Sequence, residues 1–174
     1  VLDKANEIYN TLKNAGIRVK LDDSEQSPGW KFSEYEMKGV PLRIEIGPRD
    51  IAENKCVIVR RDNREKSFVS IDTLIDSVKA GLENLTSALF EKAKAHREER
   101  TYTALTLDEL KNIADEKPGY IKAMWCGDLE CELKLKEVAD VTSRCMPFGA
   151  EPVSDKCVCC GKPAKKMVYW GRAY

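Results

Sequence analysis

Residues 28–50 read PGWKFSEYEMKGVPLRIEIGPRD, and the hydrophobic period changes once within them. Pro28-Gly29 is a turn signal, KFSEYEMK has the character of a short helix, and Gly39 ends it. Leu42, Ile44 and Ile46 then alternate with Arg43 and Glu45, which is the period of a half-buried strand, and Gly47-Pro48 closes it. A helix handed directly to a strand is the local mark of an α/β layer fold.

The flanks extend the pattern. Toward the N-terminus, Leu2, Ala5, Ile8, Tyr9 and Leu12 share one helical face and Gly16 supplies a stop, after which Ile17, Val19 and Leu21 alternate as a strand. SEQSPGW is loop chemistry. Toward the C-terminus, CVIVRR reads as a strand, DNREK as a turn and SFVS as a short strand. Ser70 then caps a long helix whose apolar stripe runs through Ile71, Leu74, Ile75, Val78, Leu82, Leu85 and Leu89. Its end, EKAKAHREER, is polar all round and is expected to run beyond the body of the domain. Together these elements make an α/β domain over 1–104.

A second unit is expected over 105–174. Thr106-x-x-Glu109 has capping-box spacing and opens the helix LDELKNIADEK, which Pro118-Gly119 stops. YIKAMW follows as a strand and runs straight into Cys126. The unit is short, and a structural metal would help it hold a fold.

Hydrophobic residues make up 43% and charged residues 33% of the chain, the balance of a globular protein, and the formal net charge is zero. Any nucleic-acid contact must therefore come from a local patch. No apolar run approaches the length of a membrane span, so no membrane partner is expected. VLDKANEIYNTLK lacks the layout of a secretory signal, and a cytoplasmic location is the expectation.

Of seven cysteines, six follow residue 125. Such clustering suits a metal site in a reducing compartment better than a disulfide scaffold. Cys126 and Cys131 form one close pair and Cys157 with Cys160 another, the way small domains assemble four sulfurs around a structural zinc ion. Gly161 suits a knuckle in which backbone amides turn toward sulfur. Cys157 with Cys159 is the competing choice for the second pair. Cys56, in an apolar strand, reads as a core thiol, Cys145 as a packed or loop residue, and His96, the one histidine, as a solvated side chain. A redox dithiol would need a helix to begin at Cys157-x-x-Cys160, and the GKP that follows argues against it.

Residues 28–50 resemble the anticodon-binding domain of prolyl-tRNA synthetase. MWCGDLEC with CVCCGKPAKKMVYWGRAY resembles the C-terminal zinc-binding module of the same family, in its archaeal and eukaryotic-like form. The resemblance implies a class II synthetase that activates proline with ATP and joins it to tRNA(Pro). It implies a mixed sheet of about five strands with helices on its faces. Nothing here resembles the class II catalytic motifs, so ATP and proline would be handled by a separate catalytic domain, through which the enzyme would be a homodimer. The family's domain opens with a strand, whereas this chain begins within the following helix, leaving a sheet position open to pairing.

Anticodon reading stacks unpaired bases on aromatic rings and hydrogen-bonds their edges. Trp30 and Phe32 offer rings, and Glu34 offers an acceptor for a guanine. Arg43, Arg49 and Arg60 offer cations, with Arg61 beside them. The resemblance places Glu34 where a guanine is read and Trp30 near the bases. Each has a plain alternative: the aromatics as core residues, and Arg43 with Glu45 as a solvated ion pair. The resemblance implies that the C-terminal tyrosine reaches toward the catalytic domain, with Trp170 and Tyr174 offering apolar contact and Gly171 an unusual backbone turn; the alternative is a frayed end whose aromatics cover the zinc module. A free-standing zinc-ribbon adaptor that binds protein is the alternative for the whole chain.

Overall fold

The computed structural model describes residues 1–173. The first unit begins with α1 (Leu2–Asn14), which buries Ile8 and Leu12 and ends before Gly16, whose φ of 79° is left-handed. α2 (Pro28–Met37) starts three residues before the expected KFSEYEMK helix: Pro28-Gly29 is its first turn and not a loop, because the Ser27 hydroxyl accepts from the Trp30 amide and Pro28, lacking an N–H, suits that position. β1 (Leu42–Glu45) follows. α3 (Pro48–Ala52) comes next, and the Asp50 carboxylate accepts from the Gly47 amide at 2.7 Å. β2 (Lys55–Arg60) and β3 (Lys66–Ser70) complete an antiparallel sheet in the order β1-β2-β3. The Ser70 hydroxyl accepts from the Asp72 amide to cap a single 3-10 turn, Ile71–Thr73, which leads into α4 (Leu74–Glu99). Ile8 and Leu12 of α1, Leu74 and Val78 of α4, and Cys56 and Ile58 of β2 form one core. Burial raises the Cys56 thiol above its ordinary pKa, as suits an inert packed sulfur.

Two further expectations change here. Residues 17–21 are not a strand, and the sheet has three strands where about five were expected. Ile17 and Val19 do pack against the core, so the alternation was a true burial signal. A strand also needs a backbone partner, and the described ladder pairs both β1 and β3 with β2 alone. α3 is not among the expected elements: Gly47-Pro48 closes β1 as expected, but Gly-Pro-x-Asp also starts a helix.

The chain divides into two compact units, Val1–Lys92 and Ala93–Tyr174. The division falls inside α4, earlier than the sequence placed it. The second unit contains β4 (Thr101–Thr103), α5 (Leu107–Glu116), β5 (Tyr120–Trp125), α6 (Leu129–Ala139), β6 (Thr142–Cys145) and β7 (Lys166–Gly171). Its mixed sheet has the order β4-β5-β7-β6, with β4 and β5 parallel and the rest antiparallel. A parallel pair needs a crossover, and α5 is that crossover. The Thr106 hydroxyl accepts from the Glu109 amide as the capping box requires, but the Glu109 carboxylate reaches back one residue further, to the Leu105 amide.

Leu110 of α5, Leu135 and Ala139 of α6, Ile121 and Ala123 of β5, and Val168 and Trp170 of β7 form the second core. Trp170 is therefore no free surface for another domain: it is 0% exposed. Gly171 continues β7, outside the left-handed glycine region. The run MVYWG looked like an apolar tail because β7 has buried residues on both its faces. Tyr174 lies outside the described residues. His96 is exposed near the end of α4, as expected.

Gly119 is the tightest glycine of the second unit. Its φ is +144°, and a Cβ there would fall 2.0 Å from the Arg100 carbonyl oxygen, which accepts from the Tyr120 amide at 2.8 Å. Gly119→Ala is expected to destabilise the second unit by about 2–4 kcal/mol. Urea unfolding followed by circular dichroism measures this.

Candidate metal centre and nucleic-acid interface

β5 delivers Cys126 directly after Trp125, and Gly127 turns the chain at φ 99°. Asp128 caps α6 by accepting from the Glu130 amide at 3.1 Å, while its carbonyl accepts from Trp125 Nε1 at 3.0 Å. That fixed start sets Cys131 in the first turn of α6, facing back toward Cys126. The second pair comes from a tight loop bridged between Lys156 and Pro163. Inside it the Cys157 amide donates to the Lys162 carbonyl and the Gly161 amide to the Cys157 carbonyl, with Gly161 at φ 72°. The Val158 amide donates to the Met124 carbonyl at 2.9 Å and ties this loop to β5.

The Sγ atoms of Cys126, Cys131, Cys157 and Cys160 lie within 4.8 Å of one another. Cys126 and Cys131 are 3.7 Å apart, and Cys160 and Cys126 are 3.9 Å apart. A zinc tetrahedron with sulfur arms of about 2.3 Å has edges of about 3.8 Å, so the quartet has the size such a cation requires. Cys159, the competing candidate, is not in the quartet and packs toward the core clusters. Cys145 is exposed at the end of β6.

The electrostatics agree. Burial pushes the Cys157 thiol up, but the amides of Cys160, Cys159 and Cys126 more than offset it and hold this group at about 7. Amides turned toward one sulfur are the knuckle expected from Gly161. Burial raises Cys131 strongly, and the neighbouring thiols raise it further. One sulfur readily ionises and its neighbours then resist, a conflict that a bound cation removes.

The candidate RNA-reading residues fall into two sets on the first unit. Trp30 and Glu34 stand one turn apart on α2. Trp30 is 48% exposed, and Glu34 is ion-paired with Lys38. Phe32 points elsewhere and carries the Arg43 guanidinium 3.8 Å above its ring. Arg43 also donates to Glu45 at 2.8 Å and to Glu36 at 3.1 Å. Arg60 makes a two-bond pair with Asp62, at 3.0 and 2.7 Å, which holds that carboxyl below its ordinary range. Arg49 is exposed in α3.

Phe32, Glu36, Arg43, Arg60 and Arg61 line one small cleft, and Glu36 and Arg61 continue with Arg64 into a second, more open one. Glu34, the glutamate expected to meet a guanine, lines neither cleft, whereas Glu36 lines both and Arg64 the second. Nothing local distinguishes two glutamates in SEYEM; the difference is that Glu36 faces β1 and the β2–β3 turn. Arg64 reaches it from that turn with a left-handed φ of 60°, at 3.5 Å.

Residues 1–81 match a family model described as the anticodon binding domain, and residues 107–174 match one described as prolyl-tRNA synthetase, C-terminal. Over all 174 residues the chain is 62% identical to a proline–tRNA ligase of Lachnospira eligens and 60% identical to one of Clostridium novyi. It is 59% identical to one of Ruminiclostridium cellulolyticum. The chain spans 36% of the length of each of these relatives.

Cobalt titration reads the quartet directly, because thiolate-to-cobalt absorption counts sulfur ligands. Cys159→Ser is expected to leave that absorption near the parent's, whereas Cys160→Ser is expected to weaken cobalt affinity by at least about tenfold.

Proposed function

We propose that this chain, which belongs to the prolyl-tRNA synthetase family, is the part of a proline–tRNA ligase that holds the anticodon of tRNA(Pro), with a structural zinc ion in its second unit. The observation that supports it is the cleft on α2. There a carboxylate and guanidinium groups converge beside an aromatic ring, within the residues that match an anticodon-binding domain.

Guanine presents two donors, N1–H and its amino group, and two acceptors, O6 and N7. The Glu36 carboxylate suits the donors, and a guanidinium suits the acceptors. Arg43 is already oriented by Phe32, Glu36 and Glu45, so it is held in place before RNA arrives. Arg64, at 3.5 Å, is the looser partner and the one a base would displace. Trp30 supplies a stacking surface from the exposed side of α2, with Glu34 and Arg49 at the periphery and Arg60 anchored by Asp62. Proline activation with ATP, homodimer contacts and the catalytic domain as this chain's partner belong to the remainder of the ligase in this reading. That chemistry takes place in the cytosol, and no described helix is long and apolar enough to cross a membrane. A free-standing adaptor would leave the α2 cleft without a purpose.

Zinc would be held by Cys126, Cys131, Cys157 and Cys160. With four protein ligands there is no open position, so the ion's work is structural. It neutralises the sulfurs and binds β5, α6 and the 155–164 loop into one unit.

Two measurements test this. Glu36→Gln is expected to reduce the preference for tRNA(Pro) over a transcript with its anticodon guanines replaced by about 1–3 kcal/mol in binding assays. Glu34→Gln is expected to reduce it less, and equal preference in all three proteins would overturn the assignment. Elemental analysis is expected to give one zinc per chain. Protons compete for the same sulfurs, so zinc should be released progressively as pH falls below neutrality.

A further inference from the structure

Only one face of the second unit's sheet is covered by helices. α5 and α6 cover the side bearing Ile121, Ala123, Val168 and Trp170. Alternation along the strands puts Tyr120 and Lys122 of β5, and Tyr169 and Gly171 of β7, on the opposite side, with Lys122 paired to Tyr169. Met124 and Met167 share that side but are buried with Cys131 and Cys157, so the open area ends at the metal centre.

What remains open is organised. The rings of Tyr120 and Tyr169 meet edge to face at 6.3 Å and 75°. A Cβ at Gly171 would stand 3.4 Å from Tyr120 Cδ1 and 3.5 Å from Arg144 Nε, so the glycine leaves a floor on which both side chains rest. The register shift between Ser143 and Cys145 turns Arg144 onto that floor, where it donates to the Gly171 carbonyl at 3.1 Å. Lys122 has no ion pair among the described residues. The four strands contain no aspartate or glutamate.

We propose that this face is a second RNA-contact surface, on which unpaired nucleotides of the bound tRNA stack against Tyr120 and Tyr169 while Lys122 and Arg144 hold their phosphates. An exposed tyrosine and a half-buried one, interleaved with cations and free of strand carboxylates, complement a polyanion with aromatic bases. Tyrosine and arginine also suit a protein-docking face, but lysine is depleted there, so Lys122 at the centre of this one favours a polyanion. The inference rests on the tRNA reading above, but it concerns contacts that carry no anticodon information.

The test is fluorescence anisotropy of the zinc-loaded 174-residue chain with tRNA(Pro) and with the guanine-replaced transcript, over a range of salt. Lys122→Gln combined with Arg144→Gln is expected to weaken both RNAs alike by about tenfold and to lower the salt slope by about 1.5. Tyr120→Ala with Tyr169→Ala is expected to weaken both alike, and the corresponding phenylalanine pair to restore binding, since stacking needs the ring and not the hydroxyl. Retained zinc and far-UV spectrum show that each variant is folded. If the variants match the parent in affinity and slope while the parent keeps its guanine preference, the face serves a protein or nothing; this inference then fails and the anticodon reading stands. If the parent binds neither RNA, both fail.

Discussion

Thiolates held within 4.8 Å of one another repel, and the second unit is built so that they must be. Cys126 is fixed by the end of β5, Cys131 by the capped start of α6, and Cys157 and Cys160 by a loop hydrogen-bonded back onto β5. No pair can move apart without breaking a ladder, a cap or the Val158–Met124 bond. A doubly charged cation turns that repulsion into attraction. The same arrangement buries Met124 and Met167 under the cysteine loops, so the small core extends past the end of the sheet. A small unit whose core lies between one sheet and α5 and α6 gains most from such a tie.

The first unit handles charge differently. Its candidate cations are mostly committed inside the protein: Arg43 to Glu36, Glu45 and the Phe32 ring, and Arg60 to Asp62. Such pairs add little to stability near the surface. What they do is fix orientation, which matters where a base edge must be met by two groups at set positions. A neutral chain can thus present a selective site, because discrimination comes from placed donors and acceptors and not from net field.

Much of both units was legible in short patterns. Gly16 marked the end of α1, Thr106-x-x-Glu109 announced α5, alternation found β1, and strand-like runs marked β2 and β5. Paired spacing singled out the same four cysteines that the structure brings together. The failures share one cause. Residues 17–21 alternate like a strand yet lack a partner. Trp170 looked like a free tail residue yet closes a core.

By itself, the sequence determined where the helices that became α1 and α5 lie, which residues seek burial, and which sulfurs can meet a common cation. These are properties of neighbours along the chain: caps, periods and spacings. Tertiary structure alone decided whether an extended segment found a ladder, which glutamate entered the cleft, and that Gly171 lies beneath Tyr120 and Arg144. Each of these depends on groups remote in sequence, and no local pattern encodes the distance between them.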